Sequence, residues 1–340
     1  MTNQTKFEHF EESVVSKEPD IFNSPVFEEY RQRWHEYPEK RILSDFPMNL
    51  DLYITNRCNL QCVMCRRTLE VQKGLNSEIY QEEQCDMDLN VYKKVIDEAA
   101  REGVYAIHLT AYGEPLLHED IIEMIKYARE KNILDLFMHT NGTILFENVA
   151  SELLEAGLTR LIFSVDSPVK EIYEKIRIGA DFDVVVDNIK KFMELKRKRG
   201  FKYPFVRVQM VEMENNRSQR DSYYNYFKNI VDSVGRIEYI NFNEMDDGNR
   251  YYRKRRYKEN YVCRQLWQRL CVNFDGNVYA CLVINENTKL GDVDNSTIKE
   301  LWHGEKMKEL RNDHIEGNIG KITPCSNCGM QLESILDKEK

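Results

Sequence analysis

A chain of 340 residues, 42% of them hydrophobic, is long enough to bury one large core or two smaller ones, so we expect a globular protein. The net charge of -9 argues against a general nucleic-acid binder, and no apolar run approaches the roughly 18 residues of a membrane span. Residues 1–20 are polar and acidic with no signal-peptide core, so a reducing cytoplasm is the expected location, where nine cysteines favour metal or redox chemistry over disulfides.

The first 46 residues are predicted to form an N-terminal extension. They are mostly polar, and the amphipathic stretch 26–37 is expected to be helical. We expect this extension to be a lid or an embellishment of the domain that follows.

A loop with three cysteines follows the apolar run 50–55. Cys58, Cys62 and Cys65 stand in the spacing Cys-x3-Cys-x2-Cys. Three thiolates on one loop can bind three irons of a 4Fe-4S cluster and leave the fourth iron open. The alternatives are a zinc site or reduced cysteines that only pack, although zinc usually takes four ligands in two pairs.

Short β-rich runs alternate six times with amphipathic helical patterns from residue 49 onward. Strands are predicted at 50–55, 104–110, 134–140, 158–165, 205–211 and 237–242, and helices at 89–101, 121–131, 145–156, 182–198 and 219–234. This alternation indicates parallel βαβ units with right-handed crossovers. Six units fall short of the eight of a closed barrel, so the predicted fold class is α/β with a partial, TIM-like (β/α)6 barrel.

Side-chain alternation within the predicted strands separates an apolar face from a polar one. The apolar face should meet the helices and comprises Leu52, Ile54, Ile107, Leu109, Leu136, Met138, Phe163, Val165, Val206, Val208, Ile240 and Phe242. The polar face should line the barrel lumen and comprises Tyr53, Thr55, His108, Thr110, His139, Ser164, Asp166, Arg207, Gln209, Asn241 and Asn243. A lumen filled only for stability carries branched apolar residues, so this polar lumen predicts a polar ligand.

Two further motifs accompany the cysteine loop. Tyr112-Gly113-Glu114-Pro115 ends the second predicted strand, and Ser164-Val165-Asp166-Ser167, followed by Arg177, ends the fourth. With Cys-x3-Cys-x2-Cys, these motifs resemble those of the radical S-adenosylmethionine (SAM) superfamily, over about residues 48–330. The resemblance implies the same partial barrel, a 4Fe-4S cluster, and chelation of SAM by its open iron.

The resemblance also implies contacts to the methionine and adenine parts of SAM. Gly113 and Glu114 match the Gly-Gly-Glu motif that holds the SAM amino group, with Tyr112 in place of the first glycine. Met64 takes a position where the family often has an aromatic residue against the adenine, and a thioether can pack on a ring in the same way.

The fourth strand is expected to hold the rest of SAM. Ser164 and Asp166 with Arg177 resemble the pattern that binds the SAM carboxylate and ribose, and Arg suits a carboxylate because its planar fork can pair twice. A surface ion pair is the alternative for Arg177. The segment 140–142 matches a common third-strand ending, for which a plain turn is the simpler interpretation.

The C-terminal part carries a second set of cysteines. Asp275-Gly276 between two apolar runs predicts a hairpin, and a helix is predicted near 297–311. The order of the cysteines resembles the auxiliary-cluster domain called twitch, related to SPASM, and implies one 4Fe-4S cluster closed by four thiolates, with structural zinc as the alternative. These cysteines are Cys263, Cys281, Cys325 and Cys328. The predicted division is 1–46 extension, 47–245 radical SAM barrel and 246–340 auxiliary domain.

The resemblance implies radical chemistry on a substrate C–H bond. Reductive cleavage of SAM gives methionine and a 5'-deoxyadenosyl radical that removes a hydrogen atom, and an auxiliary cluster can accept an electron when a carbon bearing a hydroxyl becomes a ketone. The C-terminal spacing is close to that of radical SAM dehydrogenases of the aminocyclitol type, so a two-electron oxidation of a sugar-like or cyclitol-like alcohol is expected. The candidates to hold or deprotonate the hydroxyl are His108, Tyr112, His139, Arg207 and Gln209.

Other outcomes stay open. An epimerase of a sugar or peptide would need a hydrogen-atom donor, for which Cys271 is a candidate, although Cys271 can also be an alternative cluster ligand or a small apolar residue. A peptide maturase usually carries an N-terminal peptide-binding module, for which 1–46 is too short. A non-catalytic Fe-S or zinc protein is the remaining alternative.

The expected partners are a small-molecule substrate and a reducing protein such as flavodoxin or ferredoxin, with no membrane and no nucleic acid. The basic run 250–258 is expected to be a solvated face. It can also meet an anionic part of the substrate.

Overall fold

The computed structural model describes residues 4–7, 10–72, 85–110, 112–239, 255–257 and 261–334. The strands are β1 (Gln4–Phe7), β2 (Phe10–Val14), β3 (Asn49–Tyr53), β4 (Ala106–Thr110), β5 (Asp135–Thr140), β6 (Arg160–Ser164), β7 (Phe205–Glu212), β8 (Ser233–Glu238), β9 (Arg255–Tyr257), β10 (Arg269–Val272), β11 (Asn277–Tyr279), β12 (Lys289–Asp292) and β13 (Leu332–Ser334). The helices are α1 (Pro25–Lys40), α2 (Arg66–Gln72), α3 (Leu89–Arg101), α4 (Ile121–Glu130), α5 (Glu147–Ala156), α6 (Lys170–Ile176), α7 (Phe182–Lys198), α8 (Arg220–Phe227), α9 (Ile298–Trp302) and α10 (Glu305–Glu316). Among these, none is long and apolar enough to cross a membrane.

The main sheet runs in the order β1-β2-β8-β7-β6-β5-β4-β3-β10-β11-β12. Strands β3 to β8 are parallel and lie side by side in chain order, which confirms the partial barrel of six βα units. β10 joins as a further parallel strand beside β3, with Cys271 opposite Asp51. β2 pairs antiparallel with β8 at the other side. The C-terminal hairpin of β10 and β11 therefore continues the barrel sheet.

The apolar strand face is buried against the helices, as predicted. Leu52, Ile107 and Leu136 are fully buried and share one core with residues of α3 and α4. This arrangement follows from the period of two along a strand, which sends alternate side chains to opposite faces. Polar side chains accordingly face inward along β3 to β7. Four residues of the predicted faces, at 240–243, lie outside the described residues.

Helix α1 lies against the amino ends of the barrel strands. Its Tyr30 is 2% exposed and packs with Met48, just before β3, and with Ala106 at the start of β4. The ring centroid of Trp34, on the same helix, lies 4.9 Å from the guanidinium carbon of Arg269. The predicted extension thus closes the end of the lumen away from the cysteine loop.

Three predicted boundaries are wrong. β8 begins at residue 233 rather than 237, and α8 ends at 227 rather than 234. The reason is that Asp232 accepts a hydrogen bond from Val206 N (2.9 Å), and the chain pairs with β7 from the next residue onward. The helix predicted at 297–311 is two helices, separated at Gly304. Of the basic run 250–258, only the backbone of β9 lies within the described residues.

Candidate functional site

The three cysteines of the first loop lie beyond the carboxyl end of β3, at the opposite end of the lumen from α1. Cys62 is 6% exposed, and Cys58 and Cys65 are half-buried. Two backbone hydrogen bonds to the carbonyls of residues 176 and 178 fix the loop at the end of α6. Burial raises the pKa of Cys58 to about 11 and that of Cys62 to about 12, so these thiols must release protons to bind iron.

Glu114 is buried at the end of β4 and held by the ending of β5. Its Oε1 accepts from the Thr140 hydroxyl and its Oε2 from Asn141 N, both at 2.7 Å. Gly113 is required beside it, because a Cβ there would lie 2.4 Å from the carbonyl oxygen of Arg57. Burial raises the pKa of Glu114 to about 6, although these hydrogen bonds lower it. The segment 140–142 therefore does more than turn the chain.

Arg177 is buried beside the cysteine loop rather than lying on the surface. Its Nε donates to Asp166 Oδ2 (2.7 Å), and its Nη1 is 3.7 Å from Cys62 Sγ. Asp166 is fully buried and its other oxygen accepts from Val211 N (2.8 Å), so this carboxylate anchors Arg177. Burial opposes the charge on Arg177, but Asp166, Cys62 and Tyr173 together more than offset this and raise its pKa.

Ser164 and Met64 lie at the same end of the lumen. Ser164 ends β6 and is half-buried. Met64 is half-buried and packs with Ile176, Met213 and Tyr239. Their contacts to SAM remain predictions.

Midway along the lumen, Asp51 joins charged and titratable groups from both neighbouring strands. The Nδ1 of His108 on β4 lies 2.8 Å from Asp51 Oδ1, and Nη1 of Arg269 on β10 donates to both carboxylate oxygens at 3.2 and 3.0 Å. Burial raises the pKa of Asp51, but Arg269 and His108 more than offset this and hold it below its usual range. Asp51 is therefore a carboxylate at neutral pH.

His108 presents an unpaired nitrogen on the lumen wall. Because the Asp51 carboxylate only accepts hydrogen bonds, His108 Nδ1 carries the proton. Burial lowers the pKa of His108, so the ring is neutral and its Nε2 keeps a lone pair. In the described part of the chain, Nε2 is buried without a hydrogen-bond partner. The ring stacks on Phe137 at 4.3 Å and lies 5.0 Å from His139. Burial also lowers the pKa of His139, well below its ordinary value.

The other predicted lumen residues lie on the strand beyond β6. Arg207 Nη1 is 3.4 Å from Gln209 Oε1 on the same face of β7. Gln209 is 8% exposed, and Arg207 is half-buried. The structure therefore brings His108 and His139 together and places Arg207 and Gln209 on β7, two strands from His139 and three strands from His108.

Two tyrosines connect the barrel to the second cysteine set. The hydroxyls of Tyr53 and Tyr112 both donate to the carbonyl of Leu282, at 2.9 and 3.1 Å, one residue after Cys281. Tyr112, which stands where the family has a glycine, thus contacts the backbone next to Cys281. Cys271 is fully buried in the same cluster.

The C-terminal cysteines line one cavity. Its other walls are mainly apolar, including Leu266, Leu310 and Met330. Among the described residues, no group of three or more His, Cys, Asp or Glu side chains is arranged to hold a single metal ion. Four thiolates around one cavity match the number of ligands that either a 4Fe-4S cluster or a zinc ion takes. The four are Cys263, Cys281, Cys325 and Cys328.

Sequence patterns do not single out three of these groups. Asp51 has the inward parity of Tyr53, and an acidic residue inside an apolar run is the signal that marks it. Arg269 becomes its partner only through the pairing of β10 with β3, which no local pattern reveals. His314 of α10 lines the cysteine cavity, and only the packing of α10 shows it.

Comparison with protein families and curated proteins gives consistent matches. The Radical SAM superfamily model matches residues 52–211, and the SPASM model, an iron-sulfur cluster-binding domain, matches 263–329. A probable GTP 3',8-cyclase of Methanocaldococcus jannaschii is 35% identical over 147 residues, which cover 43% of this chain and 46% of that protein. The chain thus spans less than half the length of this relative. A GTP 3',8-cyclase of Clostridium botulinum is 30% identical over 288 residues, 82% of this chain and 76% of that protein.

Among solved structures, BtrN in complex with AdoMet and 2-DOIA has a similar fold. The TM-score is 0.55 with 19% sequence identity, and the match covers 83% of this chain and 93% of BtrN. At this identity the likeness shows the fold alone.

Proposed function

Because the chain belongs to the radical SAM superfamily and carries a SPASM-type iron-sulfur domain, we propose that it oxidises an alcohol carbon of a small polar substrate to a ketone. Radical SAM enzymes use a 4Fe-4S cluster and SAM, and SPASM domains bind auxiliary iron-sulfur clusters. When bound, these groups supply a hydrogen-atom acceptor and a one-electron acceptor. The remaining requirement is a base for the hydroxyl proton.

The residues present fit these cofactors. For the SAM-binding cluster we propose Cys58, Cys62 and Cys65, a set that leaves one iron for SAM. For SAM itself we propose Glu114 against the amino group and Arg177 against the carboxylate, because each charge is opposite to its partner's. For the auxiliary cluster we propose the four cysteines that share one cavity.

The unpaired Nε2 of His108 is the observation that carries the oxidation. Asp51 holds the ring through its protonated Nδ1, and Nε2 is buried without a partner in the described part of the chain. A neutral imidazole in this state can take the proton of a hydroxyl group, and the resulting imidazolium is stabilised by Asp51. His108 is thus the proposed base, with Asp51 as its positioning residue.

Two observations favour oxidation over epimerisation. Four cysteines around the auxiliary cavity suffice for all four irons of a cluster, which suits an electron acceptor rather than a substrate ligand. Cys271, the candidate hydrogen-atom donor, is fully buried and packs with Tyr53 and Tyr279. Its thiol is therefore less accessible to a substrate than the ring of His108, whose side chain is 13% exposed.

The test uses the anaerobically reconstituted protein with SAM, a chemical reductant and a panel of sugars and cyclitols. Carbonyl products are trapped as hydrazones and measured with 5'-deoxyadenosine by mass spectrometry. We expect a ketone, and we expect His108→Gln to lower it by about 10²-fold or more while 5'-deoxyadenosine still forms, because general bases contribute about 10²–10⁴-fold. His303→Gln, outside the lumen, is the matched control. Equal ketone yields in both variants would exclude His108 as the base.

GTP is a second candidate substrate. The Clostridium botulinum GTP 3',8-cyclase supports it, being similar over 82% of this chain. Incubation with GTP in the same assay separates the two proposals. A cyclised nucleotide with no ketone from any sugar or cyclitol would replace the oxidation by a rearrangement, for which His108 is not required as an alcohol base.

A further inference from the structure

His314 lies in the wall of the auxiliary cysteine cavity, and one of its ring nitrogens accepts a backbone hydrogen bond. It belongs to α10, is 3% exposed, and lines the cavity together with Cys263. The backbone N–H of Cys263 donates to His314 Nδ1 at 3.3 Å. A backbone N–H can only donate, so Nδ1 must carry a lone pair, the ring is neutral, and its proton is on Nε2.

The Nε2–H of His314 has nothing to donate to within the described residues. It is buried and has no hydrogen-bond partner there. The other polar side chains of the cavity wall are engaged. Gln265 Oε1 lies 3.5 Å from Leu282 N, the Thr288 hydroxyl donates to the carbonyl of Val283 at 2.9 Å, and Tyr261 is hydrogen-bonded to the Cys263 thiol. Buried N–H groups in folded proteins nearly always have an acceptor. The remaining acceptor is the content of the cavity itself.

We propose that His314 donates an N–H···S hydrogen bond to the auxiliary iron-sulfur cluster and raises its reduction potential. A cluster gains negative charge on reduction, and a donor aimed at its sulfurs stabilises that charge. This role is independent of the substrate, and so it stands or falls separately from the proposed oxidation. It makes the auxiliary cluster a better electron acceptor.

The chain offers a matched control in His118. It is also 3% exposed, and its Nδ1 likewise accepts from a backbone N–H, that of Asp120, at 3.1 Å. Its Nε2, however, is bonded to the carbonyl of Met87 at 3.0 Å, away from the cysteines. The two histidines therefore differ in the hydrogen-bond partner of Nε2, which is a backbone carbonyl for His118 and, by our proposal, the cluster for His314.

The first experiment is a redox titration followed by electron paramagnetic resonance. It uses full-length protein in which Cys58, Cys62 and Cys65 are replaced by Ala, so that only the auxiliary cluster contributes. We expect His314→Phe to lower the reduction potential of the auxiliary cluster by about 59 mV, which is a tenfold change in the one-electron reduction equilibrium. We expect His118→Phe to leave the potential unchanged. An unchanged potential in His314→Phe with its cluster intact would overturn the proposal.

The second experiment needs no substitution at residue 314. Protein labelled with ¹⁵N-histidine and reduced by dithionite is examined for weak hyperfine coupling between ¹⁵N and the cluster. We expect such coupling in the wild type and in His118→Phe. No coupling, or a coupling strong enough to mean a direct iron–nitrogen bond, would refute the hydrogen bond even if His314→Phe cannot hold its cluster.

Discussion

The ion pair between Asp51 and Arg269 should contribute strongly to the stability of the contact between the barrel and the C-terminal hairpin. Asp51 is 0% exposed and the Arg269 side chain 17% exposed, so neither charge is well solvated once its partner is gone. Removing one partner of a buried pair costs about 3–5 kcal/mol, because the other charge is left uncompensated. Against a typical total stability of about 5–15 kcal/mol, Asp51→Asn should therefore be strongly destabilising.

The pair can be measured by a double-mutant cycle. We expect Asp51→Asn and Arg269→Met each to cost about 3–5 kcal/mol, and the double variant to cost clearly less than their sum, because it leaves no unpaired charge. Anaerobic urea unfolding followed by tryptophan fluorescence reports the free energies, and the Trp34 ring lies 4.9 Å from the Arg269 guanidinium.

A surface pair provides the control for this cycle. Lys131 and Asp97 are 37% and 47% exposed, and Lys131→Met should cost far less than Asp51→Asn, because both charges of the surface pair are solvated. Because the fold holds the pKa of Asp51 below 3.8, the contribution of the buried pair should persist at neutral pH and be lost only as the pH falls through that lowered value. Additive effects in the double variant would refute the reasoning.

Three further predictions concern the cofactor sites. Replacing Cys58, Cys62 and Cys65 together by Ala should abolish 5'-deoxyadenosine and lower iron from about eight to about four per chain, and retained SAM cleavage would contradict the assignment. Cys328→Ala should reduce ketone far more than 5'-deoxyadenosine, because the substrate radical loses its electron acceptor; full turnover without the auxiliary cluster would rule that role out. SAM affinity, measured by calorimetry, should fall up to about tenfold from pH 7 to pH 5, because Glu114 has a pKa of about 6 and loses its charge below it. A Glu114→Gln variant should show a flat profile, and a flat profile in the wild type would sink this prediction.

The barrel could be predicted because its signals are local. Alternating strand and helix patterns gave six units, and strand parity correctly sent Leu52 outward and His108 inward. Boundaries failed where tertiary contacts outweigh local pattern, as at residue 233, where pairing with β7 and β2 begins the strand early.

The features that could not be predicted depend on contacts between distant segments. The pairing of β10 with β3 joins residues more than 200 positions apart, and it creates the Asp51–Arg269 pair. The place of His314 in the cysteine cavity likewise emerges only when α10 packs there. A list of polar lumen residues gave His108 as one of several candidates, and its bond to Asp51 is what distinguishes it.

The parallel pairing of β10 with β3 also limits how far this protein can be truncated and still fold. A chain that stops before β10 would leave the edge of β3, residues Asn49–Tyr53, with a row of unpaired backbone groups and the buried Asp51 without its cation. Exposed edges of this kind recruit strands from other molecules. A barrel fragment ending near residue 239 should therefore aggregate on expression, and a soluble minimal version of this protein has to retain the C-terminal hairpin.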